Sequence, residues 1–179
     1  MELIGGAEKR AIEIADYDPR WPQESELHRN AILAALGSVA LRIEHIGSTS
    51  VPWLAAKPIV DILLVVADSG NEAAYLPSLE AAGYALRVRE PEFYEHRMLR
   101  TPRRDVHLHI FSAGCVEIER YLTFRNRLRS NSHDRQRYES TKRALAAQPW
   151  PDMDAYADAK TEVVESIIAA ARAAGEISS

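Results

Sequence analysis

The chain has 179 residues, which suits one domain with a substantial hydrophobic core. Hydrophobic residues make up 46% of it, and no apolar run reaches the roughly 18 residues that a membrane-spanning helix needs. The net charge of −4 argues against a general nucleic-acid-binding protein, and the single cysteine, Cys115, excludes an intrachain disulfide or a cysteine-based zinc site. The N-terminal stretch MELIGGAEKRAIEI lacks the apolar core of a signal peptide, so we expect a cytoplasmic protein.

Apolar periodicity divides the chain into strands and helices. In the first half it predicts strands over 11–18, 40–47 and 57–67 and helices over 22–37 and 70–84. Three further strands are predicted over 85–91, 95–102 and 105–111, and three helices over 115–130, 133–148 and 152–174. The segment 57–67 is apolar on both faces, as expected of a central strand covered on both sides. The layout predicts an α+β fold, in which a mixed β-sheet core with flanking helices is followed by a C-terminal helical segment.

A small polar loop, GSTS, follows the second predicted strand and consists of Gly47, Ser48, Thr49 and Ser50. Backbone N–H groups of a Gly-Ser loop after a strand can converge on a phosphate, and the hydroxyl groups add further donors. The same letters also suit an ordinary turn, so the loop alone leaves both interpretations open.

One carboxylate, Asp61, stands within the otherwise apolar run PIVDILLVV. A carboxylate among apolar side chains is costly unless it finds a cation, a metal ion or strong hydrogen-bond donors. Asp61 is therefore either a functional carboxylate or part of a structural ion pair or hydrogen bond.

Two histidines, His107 and His109 of HLHIF, share one face of the strand 105–111, about 6–7 Å apart along it. An H-x-H pair beside a carboxylate such as Asp61 can bind a metal ion, hold a phosphate or supply a general base. The pattern is short and also occurs in strands without any of these roles.

Cations interrupt the apolar stripe of each predicted C-terminal helix: Arg125 in the first, Lys142 in the second and Lys160 in the third. Residues 97–143 contain 12 Lys and Arg against 5 Asp and Glu. A cation in such a stripe usually extends its charged end to the rim of the core. Three in succession favour one shared anion, either a ligand phosphate or Asp61 itself. Solvated helix faces and a buried ion network are the structural alternatives.

The sequence resembles the GrpB family, a branch of the nucleotidyltransferase-like superfamily. The matching stretches are YDPRWP (17–22), IEHIGSTSVPWLAAKPIVDILLVV (43–66), HLHIF (107–111), YLTFRNRLRS (121–130) and YADAKTEVVESII (156–168). The resemblance covers residues 11–172, which we interpret as one domain, with 1–10 and 173–179 as flexible termini. It implies a nucleotidyltransferase-like mixed β-sheet core.

In that superfamily a Gly-Ser loop holds nucleotide phosphates, and an Asp-x-Asp pair with a third carboxylate on a later strand binds two Mg²⁺ ions. By this resemblance Gly47 and Ser48 match the loop and Asp61 matches the first carboxylate. Leu63 stands in the place of the second carboxylate and cannot bind a metal ion. We infer that one of the two histidines of HLHIF takes the place of the third. A single carboxylate does not suit the two-metal route, which leaves a one-metal site or a metal-free phosphate site.

The predicted function is binding of a nucleotide or another phosphorylated small molecule, and the residues leave open whether phosphoryl or nucleotidyl transfer accompanies it. The predicted catalytic and metal-binding residues are Asp61, His107 and His109, with one divalent ion, Mg²⁺ or Mn²⁺. The predicted phosphate-binding residues are Gly47, Ser48, Thr49, Ser50, Lys57, Arg125 and Lys160. The alternative is a non-catalytic accessory module, because related domains in some bacteria are fused to dephospho-CoA kinase and linked to its folding. This chain has no P-loop of the form GxxxxGK[ST], and its sequence does not define an oligomeric state.

Overall fold

The computed structural model describes residues 1–6 and 12–176. Within these residues the strands are β1 Glu2–Leu3, β2 Arg42–Ile46, β3 Val60–Val66, β4 Ala85–Glu90, β5 His96–Arg100 and β6 Val106–Ser112. The helices are α1 Trp21–Leu36, α2 Leu76–Ala81, α3 Val116–Ser130, α4 Ser132–Ala146, α5 Met153–Asp158 and α6 Thr161–Ala173. In this part of the chain no helix is both long and apolar enough to cross a membrane.

The strands form one mixed sheet in the order β1-β4-β5-β6-β3-β2. Strands β3 and β6 are parallel, and the other neighbouring pairs are antiparallel. The register of β3 and β6 places Asp61 opposite His107 and Leu63 opposite His109. The predicted α+β class, with a mixed sheet, flanking helices and a C-terminal helical segment, is confirmed.

Alternate residues of the central strand β3 enter two different hydrophobic clusters. Ile62 and Leu64 belong to the cluster that includes Ile32 of α1 and Leu79 of α2. Leu63 belongs to a second cluster on the other face, with residues of β6 and α3. Because side chains alternate along a strand, Asp61 faces the same side as Leu63. The carboxylate therefore points toward the C-terminal helices.

The strand predicted over 11–18 is wrong in its described part, 12–18, and residue 11 lies outside the described residues. The structure has there a single β-bridge, in which Ala15 and Ala56 exchange backbone hydrogen bonds of 2.8 and 2.9 Å. The bridge does not extend because the partner segment is a loop that reaches Pro58, which has no N–H to donate. Alternation of side chains is thus not sufficient for a strand without an extended neighbour.

Two predicted helices differ from those observed. The helix predicted over 70–84 begins only at Leu76, because Pro77 occupies the first turn, where a missing N–H costs no hydrogen bond. The helix predicted over 152–174 is divided into α5 and α6. Its backbone tightens between them, where the N–H of Lys160 bonds the carbonyl of Ala157. Glu2–Leu3, outside the predicted domain, pairs with β4.

Candidate functional site

A pocket of about 380 Å³ lies where the parallel strands β3 and β6 begin. Its volume falls within the range of about 300–1,000 Å³ that is usual for small-molecule sites. The sheet and its loops contribute Ile46, Gly47, Ser48, Ala56, Lys57, Ile59, Asp61, His107 and His109. The helices contribute Tyr121, Lys142, Tyr156, Ala157 and Lys160, and Ile14 completes the lining. Thus seven of the predicted site residues, which come from distant parts of the sequence, line one pocket.

Asp61, His107 and His109 converge in this pocket. Oδ1 of Asp61 lies 3.6 Å from Nδ1 of His107 and 3.5 Å from Nε2 of His109. One potential ligand atom from each residue lies within 4.8 Å of the other two. The parallel register of β3 and β6 produces this arrangement, because it sets the H-x-H pair beside the carboxylate on one face. The cluster has the donor atoms and the spacing for one metal ion.

The carboxylate of Asp61 is ionised at neutral pH. Burial raises its pKa, but when the facing imidazoles of His107 and His109 are protonated they outweigh burial and hold the pKa well below the usual range of an aspartate. Gly47 allows the loop to pass close to this carboxylate. A Cβ atom at Gly47 would lie 2.4 Å from Oδ2 of Asp61, and the backbone has φ +68° and ψ −174°, a region almost restricted to glycine.

The hydroxyl groups of the GSTS loop have different surroundings. Ser48 lines the pocket. Thr49 is 1% exposed, and its hydroxyl lies 3.0 Å from Nε2 of His45. The hydroxyl of Ser50 donates to the carbonyl of Gly47 at 2.6 Å, and Ser48–Ser50 form a 3₁₀ turn. The structure therefore places Ser48 in contact with the pocket, while Thr49 and Ser50 bond within the loop and its strand.

Three lysines from different elements meet at the pocket. Nζ of Lys142 donates to Oγ of Ser48 at 3.0 Å and to the carbonyl oxygen of Ala55. The pKa of Lys142 is lowered to about 7. Burial is the largest cause, and the nearby charges of Lys160 and Lys57 contribute to the lowering. Burial also lowers the pKa of Lys160, which the charge of Asp61 partly opposes. The pocket thus concentrates positive charge that water solvates poorly, a condition that favours an anion.

Tyr156 lies beside two of these lysines and was not predicted as a site residue. Nζ of Lys57 lies 4.3 Å from the centre of its ring, and Nζ of Lys160 lies 4.6 Å from it. The residue is 1% exposed, and its hydroxyl has no hydrogen-bond partner among the described residues. A buried hydroxyl without a partner is costly, and Tyr156 is one of the residues that line the pocket. The place of Lys142 in the apolar stripe of α4 is visible in the sequence, whereas no pattern indicates this hydroxyl.

Arg125 lies apart from the pocket, although it was predicted to bind phosphate. Its guanidinium donates to the carboxylate of Glu44 at 2.8 Å and to the carbonyl of His45 at 3.0 Å. The side chain is 10% exposed and lies between α3 and β2. Of the three cations in the helix stripes, the structure thus brings Lys142 and Lys160 to the pocket and gives Arg125 a carboxylate partner elsewhere.

A buried histidine, His96, lies behind His109. Its Nε2 is 3.1 Å from Nδ1 of His109, and its Nδ1 is 2.7 Å from Oε2 of Glu90. The His96 ring is stacked on the rings of His109 and Phe111, with centroids 5.3 and 4.7 Å away. Burial, with the nearby charges of His109 and Arg97, lowers the pKa of His96 to about 3. No sequence pattern indicates His96 as a site residue, since a lone histidine in EHRMLR has no spacing that links it to HLHIF.

A model of the GrpB protein family matches residues 11–170. The chain belongs to the GrpB family. A UPF0157 protein of Streptomyces coelicolor is 53% identical over 174 residues, which are 97% of this chain and 91% of that protein. The crystal structure of the conserved protein GrpB from Enterococcus faecalis has 34% identity and a TM-score of 0.79, and the match covers 89% of this chain and 96% of that one. A dephospho-CoA kinase of Mycolicibacterium paratuberculosis is 27% identical over 83% of this chain but only 43% of its own length.

In this GrpB-family chain the donor set limits the metals that the site can hold. Two imidazoles and one carboxylate suit Mn²⁺, Zn²⁺ or another transition metal, whereas Mg²⁺ prefers oxygen ligands throughout. Leu63 is 0% exposed and belongs to a hydrophobic cluster with residues of β6 and α3, so it offers no ligand atom to the pocket. Asp61, His107 and His109 could therefore hold one metal ion, and the described residues of the pocket have no second carboxylate beside Asp61.

Proposed function

We propose that this protein binds a nucleotide or another phosphorylated small molecule in the pocket, together with one divalent metal ion on Asp61, His107 and His109. The activity that this arrangement suits is phosphoryl or nucleotidyl transfer with a single metal ion. The metal would neutralise charge that develops on the transferring group, and the lysines would do so from the opposite side.

One observation carries the proposal: a metal-ligand cluster and a lysine cluster line the same pocket. Either cluster alone has a structural explanation, because carboxylate–histidine contacts and buried lysines both occur in proteins without a ligand. Together they form a site with an anionic and a cationic side. A metal-bound phosphate satisfies both sides at once, since its metal meets the carboxylate and its oxygens meet the ammonium groups.

On the cationic side, the proposed phosphate contacts are Lys57 and Lys160, with Ser48 held by Lys142. Nζ of Lys57 lies 4.3 Å and Nζ of Lys160 lies 4.6 Å from the Tyr156 ring centre, so both ammonium groups border the same ring. The charges of Lys160 and Lys57 both lower the pKa of Lys142, and an arriving anion would relieve that repulsion. The hydroxyl of Tyr156 supplies a further donor for a phosphate oxygen.

Of the two metals suggested by the sequence, we expect Mn²⁺ rather than Mg²⁺ to bind, because two of the three ligands are imidazole nitrogens. Isothermal titration of the purified, metal-free protein with MnCl₂ and with MgCl₂ tests this choice. We expect saturable binding of one Mn²⁺ and much weaker binding of Mg²⁺. Asp61→Asn should abolish Mn²⁺ binding, whereas Asp134→Asn, a control at a buried aspartate paired with Arg127, should leave it unchanged.

Ligand binding is tested by thermal denaturation with ATP, AMP and pyrophosphate, each with and without Mn²⁺. We expect at least one of them to raise the melting temperature of the wild type, because a ligand of the folded state stabilises it. Lys160→Met should remove that shift but keep Mn²⁺ binding. Arg137→Met, which removes an exposed cation from α4, is the control and should keep both. Chromatography of ATP after incubation with the protein and Mn²⁺ then shows whether ADP, AMP or pyrophosphate forms.

A second candidate is a non-catalytic accessory module, and the dephospho-CoA kinase match favours it because this chain aligns with less than half of that protein. In that role the pocket would bind a partner or a ligand without turnover. A wild type that shows no melting shift with any of the three ligands and no Mn²⁺ binding would overturn the first proposal. Ligand binding without any product from ATP would retain the site and remove the transfer activity.

A further inference from the structure

We propose that Glu90 and His96 form a relay that fixes the tautomer of His109, so that His109 presents an unprotonated Nε2 to the pocket. This inference rests on the proposed function, because it explains how His109 is prepared to bind a metal ion. His96 and Glu90 do not touch the pocket in this scheme. They are positioning residues, which act through His109.

The relay is a continuous chain of contacts across three strands. Oε2 of Glu90 in β4 lies 2.7 Å from Nδ1 of His96 in β5, and Nε2 of His96 lies 3.1 Å from Nδ1 of His109 in β6. On the far side of the His109 ring, Nε2 lies 3.5 Å from Oδ1 of Asp61. Both nitrogens of both rings therefore face an identified partner. The positions of the protons can then be assigned by matching hydrogen-bond donors to acceptors.

Two neutral imidazole rings have only two N–H groups for these three contacts, so one contact lacks a proton, and at 3.5 Å the contact with Asp61 is the longest. At the shortest contact, 2.7 Å, the carboxylate of Glu90 can only accept a hydrogen bond. The facing Nδ1 of His96 must then carry the single N–H of a neutral imidazole. This leaves a lone pair on Nε2 of His96, so Nδ1 of His109 must be the donor in the next contact. The neutral His109 ring is thereby left with a lone pair on Nε2, directed at the pocket.

The contact between His109 and Asp61 has the length that this assignment predicts. An N–H···O hydrogen bond is about 2.7–3.2 Å long, but this pair is separated by 3.5 Å. Two acceptors that face each other repel unless a cation lies between them. With this tautomer, Asp61 and His109 do not form a hydrogen bond with each other. Their two lone pairs can instead bind a cation between them. A hydrogen bond to the remote nitrogen is the usual means by which proteins orient a metal-binding histidine.

The relay is also held rigidly. Glu90 and His96 are paired residues of the antiparallel strands β4 and β5. His96 is 6% exposed and stacks on the Phe111 ring at 4.7 Å and on the His109 ring at 5.3 Å. Its orientation is therefore set by packing as well as by hydrogen bonds.

The test uses the full-length, metal-free protein labelled with ¹⁵N at histidine. Two-bond ¹H–¹⁵N correlation spectra report which ring nitrogen of His109 carries the proton. We expect Nδ1–H in the wild type. His96→Phe keeps a stacked ring but removes the acceptor, and it should move the His109 proton to Nε2 in part or entirely. Affinity for Mn²⁺ should fall by about 10- to 100-fold, the usual effect of losing such a partner.

His28→Phe is the matched control. His28 is a partly buried histidine on α1 that bonds the hydroxyl of Tyr84 at 2.7 Å, so its substitution also removes one histidine hydrogen bond but does not alter the relay. It should leave the His109 tautomer and the Mn²⁺ affinity unchanged. Glu90→Ala tests the other end of the relay and should weaken the Nδ1–H preference of His109 in a variant that retains all three site residues.

The outcomes separate this inference from the proposed function. A wild type with the proton on Nε2 of His109, or a folded His96→Phe that keeps both tautomer and affinity, overturns the relay, even if Mn²⁺ binds. A wild type that binds no metal ion but loses the Nδ1–H tautomer in His96→Phe retains the relay and overturns the metal site. If His96→Phe does not fold, the tautomer in the wild type and in Glu90→Ala decides the question.

Discussion

Replacement of Gly47 by alanine should damage both the fold and the site, and the structure gives the size of each effect. The backbone at Gly47, with φ +68° and ψ −174°, lies in a region that costs other residues on the order of 1–3 kcal/mol. The new Cβ would also lie 2.4 Å from Oδ2 of Asp61 and 3.1 Å from its Cβ and Cγ. Relief of such an overlap in a packed place costs typically about 1–3 kcal/mol more. The free energy of unfolding should therefore fall by about 2–6 kcal/mol.

Gly37→Ala is the control that separates the two costs. Gly37 has φ 53° and ψ −125°, which also disfavours other residues, but a Cβ atom there would meet nothing within 4 Å. Its substitution should cost only the backbone part, about 1–3 kcal/mol. Urea denaturation of both variants measures the difference, which is the cost of the contact with Asp61.

Binding of Mn²⁺ provides the second measurement on these glycine variants. Gly47→Ala can relieve its overlap only if the loop or the carboxylate of Asp61 moves, so we expect at least a tenfold loss of Mn²⁺ affinity. Gly37→Ala should bind Mn²⁺ as the wild type does. Equal unfolding free energies and equal affinities for the two variants would refute the close approach of the loop to Asp61.

Four further outcomes are expected. Arg125→Met should lower the free energy of unfolding by about 1–3 kcal/mol, because it removes one of the two arginine partners of Glu44 and the donor to the carbonyl of His45. Nucleotide and Mn²⁺ affinities should not change, and altered affinity with normal stability would return Arg125 to the site. Burial lowers the pKa of Lys142 to about 7 from 10.5 in the unfolded chain, so the unfolded state binds more protons and the free energy of unfolding should rise between about pH 7 and 10.5, as urea titrations at several pH values can show. A phosphate beside Lys142 would favour its protonated form. Calorimetry at pH 8 in buffers of different ionisation enthalpy should therefore detect proton uptake when a phosphorylated ligand binds, and a buffer-independent heat would contradict a phosphate beside Lys142. Tyr156→Phe removes a hydroxyl that has no partner in the described structure, so it should preserve the melting temperature while it weakens ligand binding, and a large loss of stability would show that the hydroxyl is structural.

Local patterns were enough to predict most of the fold. The apolar run around Asp61 indicated a central strand, and its residues do alternate between two hydrophobic clusters. The same reasoning failed for 11–18, where alternation was present but an extended neighbour was not. It also failed at Lys160, where one predicted helix is two, because tightening of the backbone leaves no trace in hydrophobic spacing.

The candidate site was predictable to the extent that its residues violate local rules. The sequence shows an aspartate in an apolar strand, a pair of histidines on one strand face and a lysine in the apolar stripe of a helix. All of these residues line the pocket. Arg125 violates the same rule for a different reason, since Glu44 on β2 neutralises it. A rule violation shows that a charge needs a partner, but it does not show which partner.

The sequence by itself determined most of the helices and strands, the family and the identity of the costly residues, because periodicity, composition and motif spacing are local properties of the chain. Tertiary structure alone decided how those residues meet. The parallel register of β3 and β6 set Asp61 beside His107, and the antiparallel pairing of β4, β5 and β6 set Glu90 and His96 behind His109. Contacts between residues many positions apart depend on which strands become neighbours. That order follows from the packing of the whole sheet against its helices.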